Sequence, residues 1–369
     1  RDLETIVNIE SGSYTKDGVD EVATWMADRL SALGATIERF SNDELGDTVV
    51  ATLGRATPGP TVMLIGHADT VFDPGYLDRR PFEIDGDRIL GPGVSDMKSG
   101  LLVGLYALEG LRAASDVEEW LPVGRLVYVV NPDEELGSPV SAPLIADLAR
   151  TTDAAFVMEA ARANGDVVSA RKGMTHLRAT ITGRAAHSGV EPDKGRSATL
   201  EAAHKTVALH ELNGRWPGVT VNVGEINGGT RPNIVAESCA ITIDMRARLR
   251  SEQDAAAAAI DGILRASTVP DITTEVERSA DYHPMEKTPA SAALVDAAGA
   301  IAAELGFELR DAETGGGSDA NTTAGVGVPS LDGLGPIGGN DHTPQEYIEA
   351  SSIVPRTTLL AALLLSVEA

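Results

Sequence analysis

Residues 61–69 read Thr-Val-Met-Leu-Ile-Gly-His-Ala-Asp, a short apolar run that ends at a glycine and is followed by a histidine and an aspartate. Such a run predicts a buried strand, and similar runs alternate with helix-like stretches on either side of it. Strands that alternate with helices favour an α/β sheet covered on both faces. The predicted strands are 49–53, 61–65, 125–130 and 154–158, and the predicted helices are 19–33, 99–112 and 139–150.

The pattern changes near residue 173. From 175 to 181 apolar side chains alternate with polar ones, which is typical of a strand with one solvated face. A helix (197–212), two strands (219–227 and 237–248), a helix (252–266) and a strand (272–278) complete the order β-α-β-β-α-β, the split ferredoxin-like unit. After it come a helix (291–305), a strand (308–312) and a closing helix from 352. We therefore predict an α/β domain of residues 1–172 and 283–369, with an inserted α+β ferredoxin-like domain of residues 173–282.

Charge and cysteine content exclude several classes of protein. The chain has 369 residues, with 30 Lys and Arg against 55 Asp and Glu, which gives a formal charge of −25. Nucleic-acid binders and proteins of anionic membrane surfaces need a basic footprint, so we expect neither partner. The single cysteine, Cys239, cannot form an internal disulfide, and the longest apolar run, 359–365, is shorter than a membrane span needs. An acidic substrate would need a local cationic pocket.

The start of the sequence gives an expectation about location. No signal peptide is visible, so we expect a cytoplasmic protein. Because the first residue is Arg rather than Met, a secreted or periplasmic location stays as the alternative.

Histidine and acidic side chains follow three of the predicted strands. The residues are His67 and Asp69, then Asp133, Glu134 and Glu135, and then Glu159. Ligands of open α/β sheets bind beyond the carboxyl ends of the strands, so these groups are expected at one edge. Asp96 lies in a tight glycine-containing loop, and His342 lies before the last helix. Three carboxylates and two neutral imidazoles offer −3 to a pair of divalent cations, which leaves room for one hydroxide and suits a two-metal hydrolytic site.

These residues resemble the zinc-dependent M20 metallopeptidases, and most of all the glutamate carboxypeptidases of the carboxypeptidase G2 type. The resemblance covers essentially the whole chain and rests on six motifs together. They are 67–70 (HADT), 91–100 (GPGVSDMKSG), 133–135 (DEE), 158–159 (ME), 183–189 (GRAAHSG) and 315–319 (GGGSD). The resemblance implies a catalytic domain with a central mixed β-sheet flanked by helices, as in zinc peptidases, and an inserted domain that serves as lid and dimerisation surface.

The resemblance also implies the ligand set. His67 and Glu159 would bind one metal ion, Glu135 and His342 would bind the other, and Asp96 would bridge the two. The expected cofactor is two Zn²⁺ per subunit, with Co²⁺ or Mn²⁺ as alternatives.

Two acidic residues beside the ligands would act in the reaction. Asp69 would orient the imidazole of His67. Glu134 would be the general base, because one of two adjacent carboxylates can bind metal while the other carries a proton. The family further implies a cis peptide bond after Asp96.

Residues of the inserted domain and of the glycine run would contact the substrate. By resemblance, His187 would donate to the scissile carbonyl oxygen. Asn233 and Arg246 would bind the free carboxylate of the substrate, and the backbone of Gly316 and Gly317 could approach the same group. Arg171 and Lys172 are weaker candidates for an acidic substrate side chain. A homodimer formed through the inserted domain is also expected from the resemblance.

The expected reaction is hydrolysis of the amide bond between an acyl or peptidyl group and a C-terminal amino acid with a free carboxylate, of glutamate type. The alternatives within the family are an N-acyl-amino-acid deacylase, of aminoacylase, acetylornithine or succinyl-diaminopimelate type, and a dipeptidase. A non-catalytic binding relative is disfavoured, because the base and all five ligands are present. The substrate would be a small N-acyl amino acid or peptide.

Overall fold

The computed structural model describes residues 1–117 and 120–367, which fall into two compact units. The first unit comprises Arg1–Ala170, Lys287–Thr314 and Ser318–Ala369, and the second comprises Arg171–Glu286 and Gly315–Gly317. The second unit therefore takes in Arg171, Lys172, residues 283–286 and three glycines that the sequence analysis gave to the α/β domain. Backbone hydrogen bonds between Arg171 and Met285 explain part of this difference, because they pair the two ends of the second unit.

The helices and strands occur where the sequence predicts them, with ends shifted by a few residues. The helices are α1 (Asp2–Val7), α2 (Lys16–Ala32), α3 (Ser99–Ala114), α4 (Ala142–Ala149), α5 (Ala198–His210), α6 (Arg250–Arg265), α7 (Pro289–Glu304), α8 (Asp319–Gly325) and α9 (Ala350–Ser366). The strands are β1 (Thr36–Phe40), β2 (Thr48–Gly54), β3 (Thr61–His67), β4 (Glu83–Asp85), β5 (Arg88–Leu90), β6 (Arg125–Asn131), β7 (Ala154–Val157), β8 (Val167–Arg171), β9 (Gly173–Thr182), β10 (Thr220–Gly228), β11 (Ser238–Ala247), β12 (Thr273–Tyr282), β13 (Asp311–Thr314), β14 (Ser330–Leu331), β15 (Gly338–Gly339) and β16 (Tyr347–Glu349). Several short elements, among them α1, β4, β5, α8 and β14 to β16, were not predicted, because they have too few residues for a clear hydrophobic period.

The first unit is built on a six-stranded sheet in the order β1-β2-β6-β3-β7-β14. Strands β6, β3, β7 and β14 are parallel to one another, whereas β1 and β2 are antiparallel to their neighbours. The predicted α/β class with a mixed central sheet is therefore confirmed. The carboxyl ends of β6, β3 and β7 lie side by side.

Both faces of β3 are buried, as the continuous apolar run predicts. Val62 and Leu64 belong to the main hydrophobic core, and Met63 and Ile65 on the opposite face are also inaccessible to solvent. Each such side chain contributes about 1.5–3 kcal/mol relative to an exposed one. At the end of the strand, Gly66 lets α3 approach closely, since a Cβ there would lie 2.8 Å from Leu101 Cδ2. This packing fixes the direction of β3 and therefore the position of its last residues.

The second unit contains a four-stranded antiparallel sheet in the order β10-β11-β9-β12, with α5 and α6 between the strands in the chain. The order along the chain is β-α-β-β-α-β. Ile181 and Leu177 of β9 and Ile241 and Ile243 of β11 are buried in a separate hydrophobic core. Side chains on the other face of the sheet, such as His176 and Arg246, are only partly covered.

The apolar run at 359–365 lies in the last helix, α9. Its residues Leu359, Leu360, Leu363 and Leu364 are buried in the core of the first unit. Within residues 1–117 and 120–367, no helix combines the length and apolar character needed to cross a membrane.

Candidate metal centre

Three neighbouring parallel strands bring histidine and acidic residues to one edge of the central sheet. His67 is the last residue of β3, residues 133–135 follow β6, and Glu159 follows β7 closely. His67 is fully buried, and Glu159 is 9% exposed. The sheet topology thus gathers side chains that lie up to 92 positions apart in the sequence.

Asp96 lies between two imidazoles. Its Oδ1 is 2.9 Å from His67 Nε2, and its Oδ2 is 3.1 Å from His342 Nε2. The loop that carries it runs from Gly91 to Lys98 and leaves helical geometry at Asp96, and the peptide bond between Asp96 and Met97 is cis, as the resemblance implies. One carboxylate therefore faces nitrogen ligands from two distant parts of the chain.

Glu135 completes this side of the site. Its Oε2 lies 3.1 Å from His342 Nε2. Its Oε1 is buried, and no described residue contacts it with a hydrogen bond. A buried carboxylate oxygen without a partner is costly, so this atom calls for a cation or a water molecule.

Two overlapping groups of side chains have their ligand atoms close together. One ligand atom each of His67, Asp96 and Glu135 lies within 4.8 Å of the others, and the same holds for His67, Glu134 and Glu159. His67 Nε2 is 3.6 Å from Glu159 Oε1. The five predicted ligands and Glu134 are thus brought together in one cluster.

The electrostatics of the cluster fit a bound cation. Burial raises the pKa of Glu134 and of Glu159 well above the ordinary value, and it also raises the pKa of Glu135. Hydrogen bonds to the carboxylates of Asp96 and Glu135 raise the pKa of His342 to about 11. Carboxylates this close repel one another unless positive charge lies between them. Imidazole and carboxylate donors suit zinc and similar divalent ions, so the residues present fit the metal that the family implies.

Asp69 lies directly behind the ligands. The Nδ1 atom of His67 is 3.0 Å from the backbone oxygen of Asp69 and 3.3 Å from its Oδ1. The Asp69 carboxylate also accepts the backbone N–H groups of Glu134 and Glu135, at 3.1 and 3.2 Å. It therefore contacts the turn of the proposed base as well as the imidazole, which the sequence analysis did not anticipate.

A second buried aspartate supports the same turn from the other side. Asp319 accepts hydrogen bonds from Asn131 Nδ2 at 2.5 Å and from Ser138 Oγ at 2.6 Å. Burial raises the pKa of Asp319 to about 6. Asp319 is the last residue of the motif 315–319, but no role was predicted for it. In the sequence, the signal for it is its position close behind Gly315–Gly317.

His187 and Asn233 lie on adjoining loops of the second unit, and both are exposed. The backbone N–H of Ser188 donates to the carbonyl of Asn233 at 3.1 Å, and residues 187 and 234 form a β-bridge. The backbone N–H of Gly189 donates to His187 Nδ1 at 3.2 Å, which leaves Nε2 as the ring nitrogen facing away from its own turn.

Arg246 is held by Asp244 and by the glycine run. Its Nε donates to Asp244 Oδ1 at 2.9 Å, and its Nη1 donates to the carbonyl of Gly315 at 3.3 Å. Arg171, at 5% exposure, donates from Nη1 to the carbonyls of Gly316 and Gly317, at 3.2 Å each. Arg171 therefore anchors the glycine run, which explains its burial. Lys172 has intermediate exposure.

An α/β sheet that presents imidazoles and carboxylates at the carboxyl ends of its parallel strands, with ligand atoms in cation-binding range, defines a metallohydrolase. The family model of "Peptidase family M20/M25/M40" matches residues 63–366, and this chain belongs to that family. It is therefore an enzyme of the metallopeptidase and amidohydrolase class.

A curated relative supports the family, and solved structures support the fold. The chain is 30% identical to carboxypeptidase G2 of Pseudomonas sp. (strain RS-16) over 368 residues, which cover 98% of this chain and 87% of that protein. It is 30% identical to acetylornithine deacetylase of Proteus mirabilis over 239 residues, 60% of this chain and 58% of that one. The fold matches aminopeptidase PepT from Bacillus cereus with a TM-score of 0.79 at 23% identity, covering 99% and 96% of the two chains. An M20 family metallo-carboxypeptidase from Sulfolobus solfataricus matches with a TM-score of 0.75 at 15% identity, covering 99% and 98%.

Proposed function

We propose that this enzyme hydrolyses the amide bond between an acyl or peptidyl group and a C-terminal amino acid with a free carboxylate, with glutamate as the expected amino acid. The observation that carries the proposal is the carboxylate of Asp96, whose two oxygens face His67 and His342 at 2.9 and 3.1 Å. A carboxylate in this position suits the bridging ligand of a two-metal hydrolytic site. The similarity to carboxypeptidase G2 along nearly the whole chain supports the carboxypeptidase reaction.

The proposed cofactor is a pair of zinc ions per subunit, with cobalt or manganese as alternatives. His67 and Glu159 would hold one ion, Glu135 and His342 the other, and Asp96 would bridge them. When bound, such a pair polarises the scissile carbonyl and lowers the pKa of the attacking water towards about 7. The buried Oε1 of Glu135, which has no hydrogen-bond partner among the described residues, supports a cation at this end of the cluster.

Glu134 is the proton carrier in this mechanism. Its carboxylate accepts the proton of the attacking water and returns it to the leaving amine. Burial raises the pKa of Glu134 well above its ordinary value, which is the direction that makes this carboxylate a stronger base. The Asp69 carboxylate accepts the backbone N–H of Glu134 and so fixes the backbone position from which the Glu134 side chain extends.

Residues of the second unit would bind the rest of the substrate. Arg246 and Asn233 would bind the free carboxylate together with the backbone of Gly316 and Gly317, and His187 would donate to the scissile carbonyl oxygen. The hydrogen bond from Arg246 Nε to Asp244 Oδ1 supports this role, because it fixes the orientation of the guanidinium, a group whose geometry suits a carboxylate. We also propose that the protein is a homodimer through this unit. Leu200 and Val207 support this, since they lie seven positions apart on α5 and are 51% and 60% exposed.

A hydrolysis screen tests the reaction. N-acyl glutamates, including folate, would be compared with N-acyl aspartates, N-acyl neutral amino acids, N-acetylornithine and dipeptides, with zinc added. The proposal predicts the highest kcat/KM for an N-acyl or peptidyl glutamate. A preference for N-acetylornithine or for dipeptides would favour the deacylase or dipeptidase alternative. Hydrolysis of none of them by zinc-loaded protein would contradict the proposed reaction.

The oligomeric state is tested separately, by light scattering on the wild type and on a Leu200→Glu/Val207→Glu variant. The proposal predicts a dimer for the wild type and a monomer for the variant. A wild-type monomer at micromolar concentration would contradict it.

A further inference from the structure

A further buried carboxylate, that of Glu346, binds the backbone of the loop that carries Asp96. Glu346, 2% exposed, precedes β16 and is absent from the ligand set. Its Oε2 accepts the backbone N–H of Gly93 at 3.1 Å, and its Oε1 accepts the N–H groups of Ser95 at 2.8 Å and Asp96 at 3.1 Å. One side chain thus binds three backbone donors located about 250 positions earlier in the sequence.

These bonds add to the backbone hydrogen bonds that residues 91–98 make among themselves. Within the loop, the N–H of Val94 donates to Gly91 at 3.2 Å and the N–H of Lys98 donates to Gly93 at 2.9 Å. Gly91 and Gly93 have positive φ, and Asp96 is non-helical at φ −115° and ψ 92°. A buried N–H that loses its partner costs about 1–3 kcal/mol, so three such losses would allow the loop to rearrange.

Glu346 also lies four positions after His342. Residues 342–346 therefore supply two groups that contact Asp96. The imidazole of His342 faces its carboxylate, and the carboxylate of Glu346 accepts its backbone N–H. The bond to the N–H of Asp96 restrains the residue whose side chain has to meet His67 and His342 at once. On the basis of the proposed metal site, we propose that Glu346 is a positioning residue. It holds the Asp96 loop in its metal-binding geometry and thereby sets the affinity of the enzyme for its metal ions.

The three donors explain why a carboxylate is found here. Both oxygens of Glu346 accept hydrogen bonds, whereas a glutamine offers one acceptor oxygen and would turn an NH₂ group towards a backbone N–H. Glu346→Gln should therefore weaken the hydrogen bonding to the backbone of the loop, and Glu346→Ala should remove it.

A cavity next to Glu346 provides a direct test of this contact. It has a volume of about 120 Å³ and is open to solvent, and Glu346 lines it together with Pro92 and Thr343. A small carboxylate such as acetate could therefore reach the space that Glu346→Ala leaves. There it could accept the same backbone N–H groups.

The experiment compares the wild type with Glu346→Gln, Glu346→Ala and the matched control Glu349→Gln, a partly exposed carboxylate on β16. Zinc affinity would be measured by competition with a chromophoric chelator. The geometry of the metal site would be compared through the visible absorption spectrum of cobalt-loaded protein. We expect Glu346→Ala to bind zinc about 10- to 100-fold more weakly and to show an altered cobalt spectrum. The zinc affinity of Glu346→Gln should lie between those of Glu346→Ala and the wild type, and that of Glu349→Gln should match the wild type. With saturating zinc, kcat should fall while KM changes little, because the proposed substrate contacts are made by other residues.

Two further measurements separate positioning from a general loss of structure. In metal-free protein, hydrogen exchange of residues 91–98 should be faster in Glu346→Ala and Glu346→Gln than in the control. Acetate, compared with sodium chloride at equal ionic strength, should restore zinc affinity in Glu346→Ala and leave the wild type unchanged. If Glu346→Ala does not fold, Glu346→Gln supplies the affinity and exchange data.

The outcomes are distinct. A wild type that binds no zinc would contradict the proposed metal site. A wild type that binds zinc, with Glu346 variants of equal affinity and equal exchange, would overturn the role of Glu346 and leave the proposed function intact.

Discussion

The carboxylate of Asp69 accepts the backbone N–H of Glu134 at 3.1 Å, although the two residues lie 65 positions apart. The same carboxylate accepts the N–H of Glu135 at 3.2 Å and the hydroxyl of Ser13 at 2.7 Å, and it lies 3.3 Å from His67 Nδ1. The end of β3 and the turn after β6 are thus joined through one side chain. The positions of an imidazole ligand and of the proposed base depend on the same group.

Asp69→Asn tests this dependence. The substituted amide would turn an NH₂ group towards either the backbone N–H groups or the imidazole, so the turn and the ring could not both keep their contacts with this side chain. We expect activity or zinc affinity to fall by about 10- to 100-fold. Kinetics and zinc titration measure the effect, with the exposed Asp78→Asn as control. Wild-type values for both quantities would show that Asp69 is dispensable.

Glu134→Ala separates proton transfer from metal binding. Because Glu134 carries the proton and is not a proposed ligand, kcat should fall by about 10²- to 10⁴-fold while the metal content stays unchanged. Elemental analysis and steady-state kinetics provide the readouts. Glu135→Gln is the matched comparison and should lose bound metal. Retained turnover in Glu134→Ala would refute the assignment of the base.

Metal removal should affect both activity and stability. The crowded carboxylates of Asp96, Glu135 and Glu159 repel one another without a cation between them, so EDTA treatment should abolish hydrolysis and lower the Tm. Added zinc should reverse both effects, and at a free concentration 100 times Kd it stabilises the folded protein by about 2.7 kcal/mol. Differential scanning calorimetry against zinc concentration checks this. Activity that survives exhaustive chelation would rule out the metal site.

Arg246→Gln tests carboxylate binding. Losing a charge-assisted hydrogen bond costs about 1.5–3 kcal/mol, so kcat/KM for an N-acyl glutamate should fall roughly 10- to 150-fold. Arg178→Gln is a suitable control, because Arg178 is an exposed guanidinium that pairs across the strands with Thr242 and so lies on the same face of the sheet. The corresponding amide substrate without a free carboxylate should not distinguish Arg246→Gln from the wild type. Equal losses for both substrates would argue against a carboxylate contact.

Glu201 predicts a pH dependence of stability in the second unit. Burial by itself raises its pKa, but the N–H of Val269, the ammonium of Lys205 and the N–H of Thr268 outweigh burial and lower the pKa. A carboxyl group whose pKa is lowered by folding stabilises the native state above its unfolded pKa, about 4.3, and loses that contribution as the pH falls. Glu201→Gln should therefore destabilise the protein by about 3 kcal/mol at pH 7, because it leaves Lys205 buried without its carboxylate.

Urea unfolding at pH 7 and pH 4 measures this effect. The gap in the free energy of unfolding between wild type and Glu201→Gln should narrow at the lower pH, because the unfolded wild type, in which the pKa of Glu201 is higher, takes up a proton there before the folded protein does. Glu211→Gln, an exposed change just after α5, should show no gap. A gap of equal size at both pH values would contradict the proposed electrostatic origin.

Much of the fold could be predicted from the sequence because the information is local. The apolar run before Gly66 predicts a buried strand, and the alternation from 175 to 181 predicts a strand with one covered face, which the burial of Leu177, Ala179 and Ile181 confirms. Short elements such as α8 and β16 could not be predicted, since two to seven residues hold too little periodicity. The glycines 315–317 were placed in the α/β domain because no local pattern shows that Arg171 and Arg246 bind their carbonyl groups.

For the site, the sequence by itself determined which residue types stand at the strand ends: an imidazole at the end of β3 and carboxylates after β6 and β7. Parallel strands share an edge, so the nearness of these groups was implied once the strands were recognised. Only the tertiary structure decided that Asp96 contacts His342, 246 positions later in the sequence, and that the carboxylate of Glu346 accepts the backbone N–H of Asp96. These contacts join a side chain to a distant backbone or ring. Nothing in the spacing of either segment encodes such a pairing, which forms only when the completed sheet and its covering helices hold the two loops together.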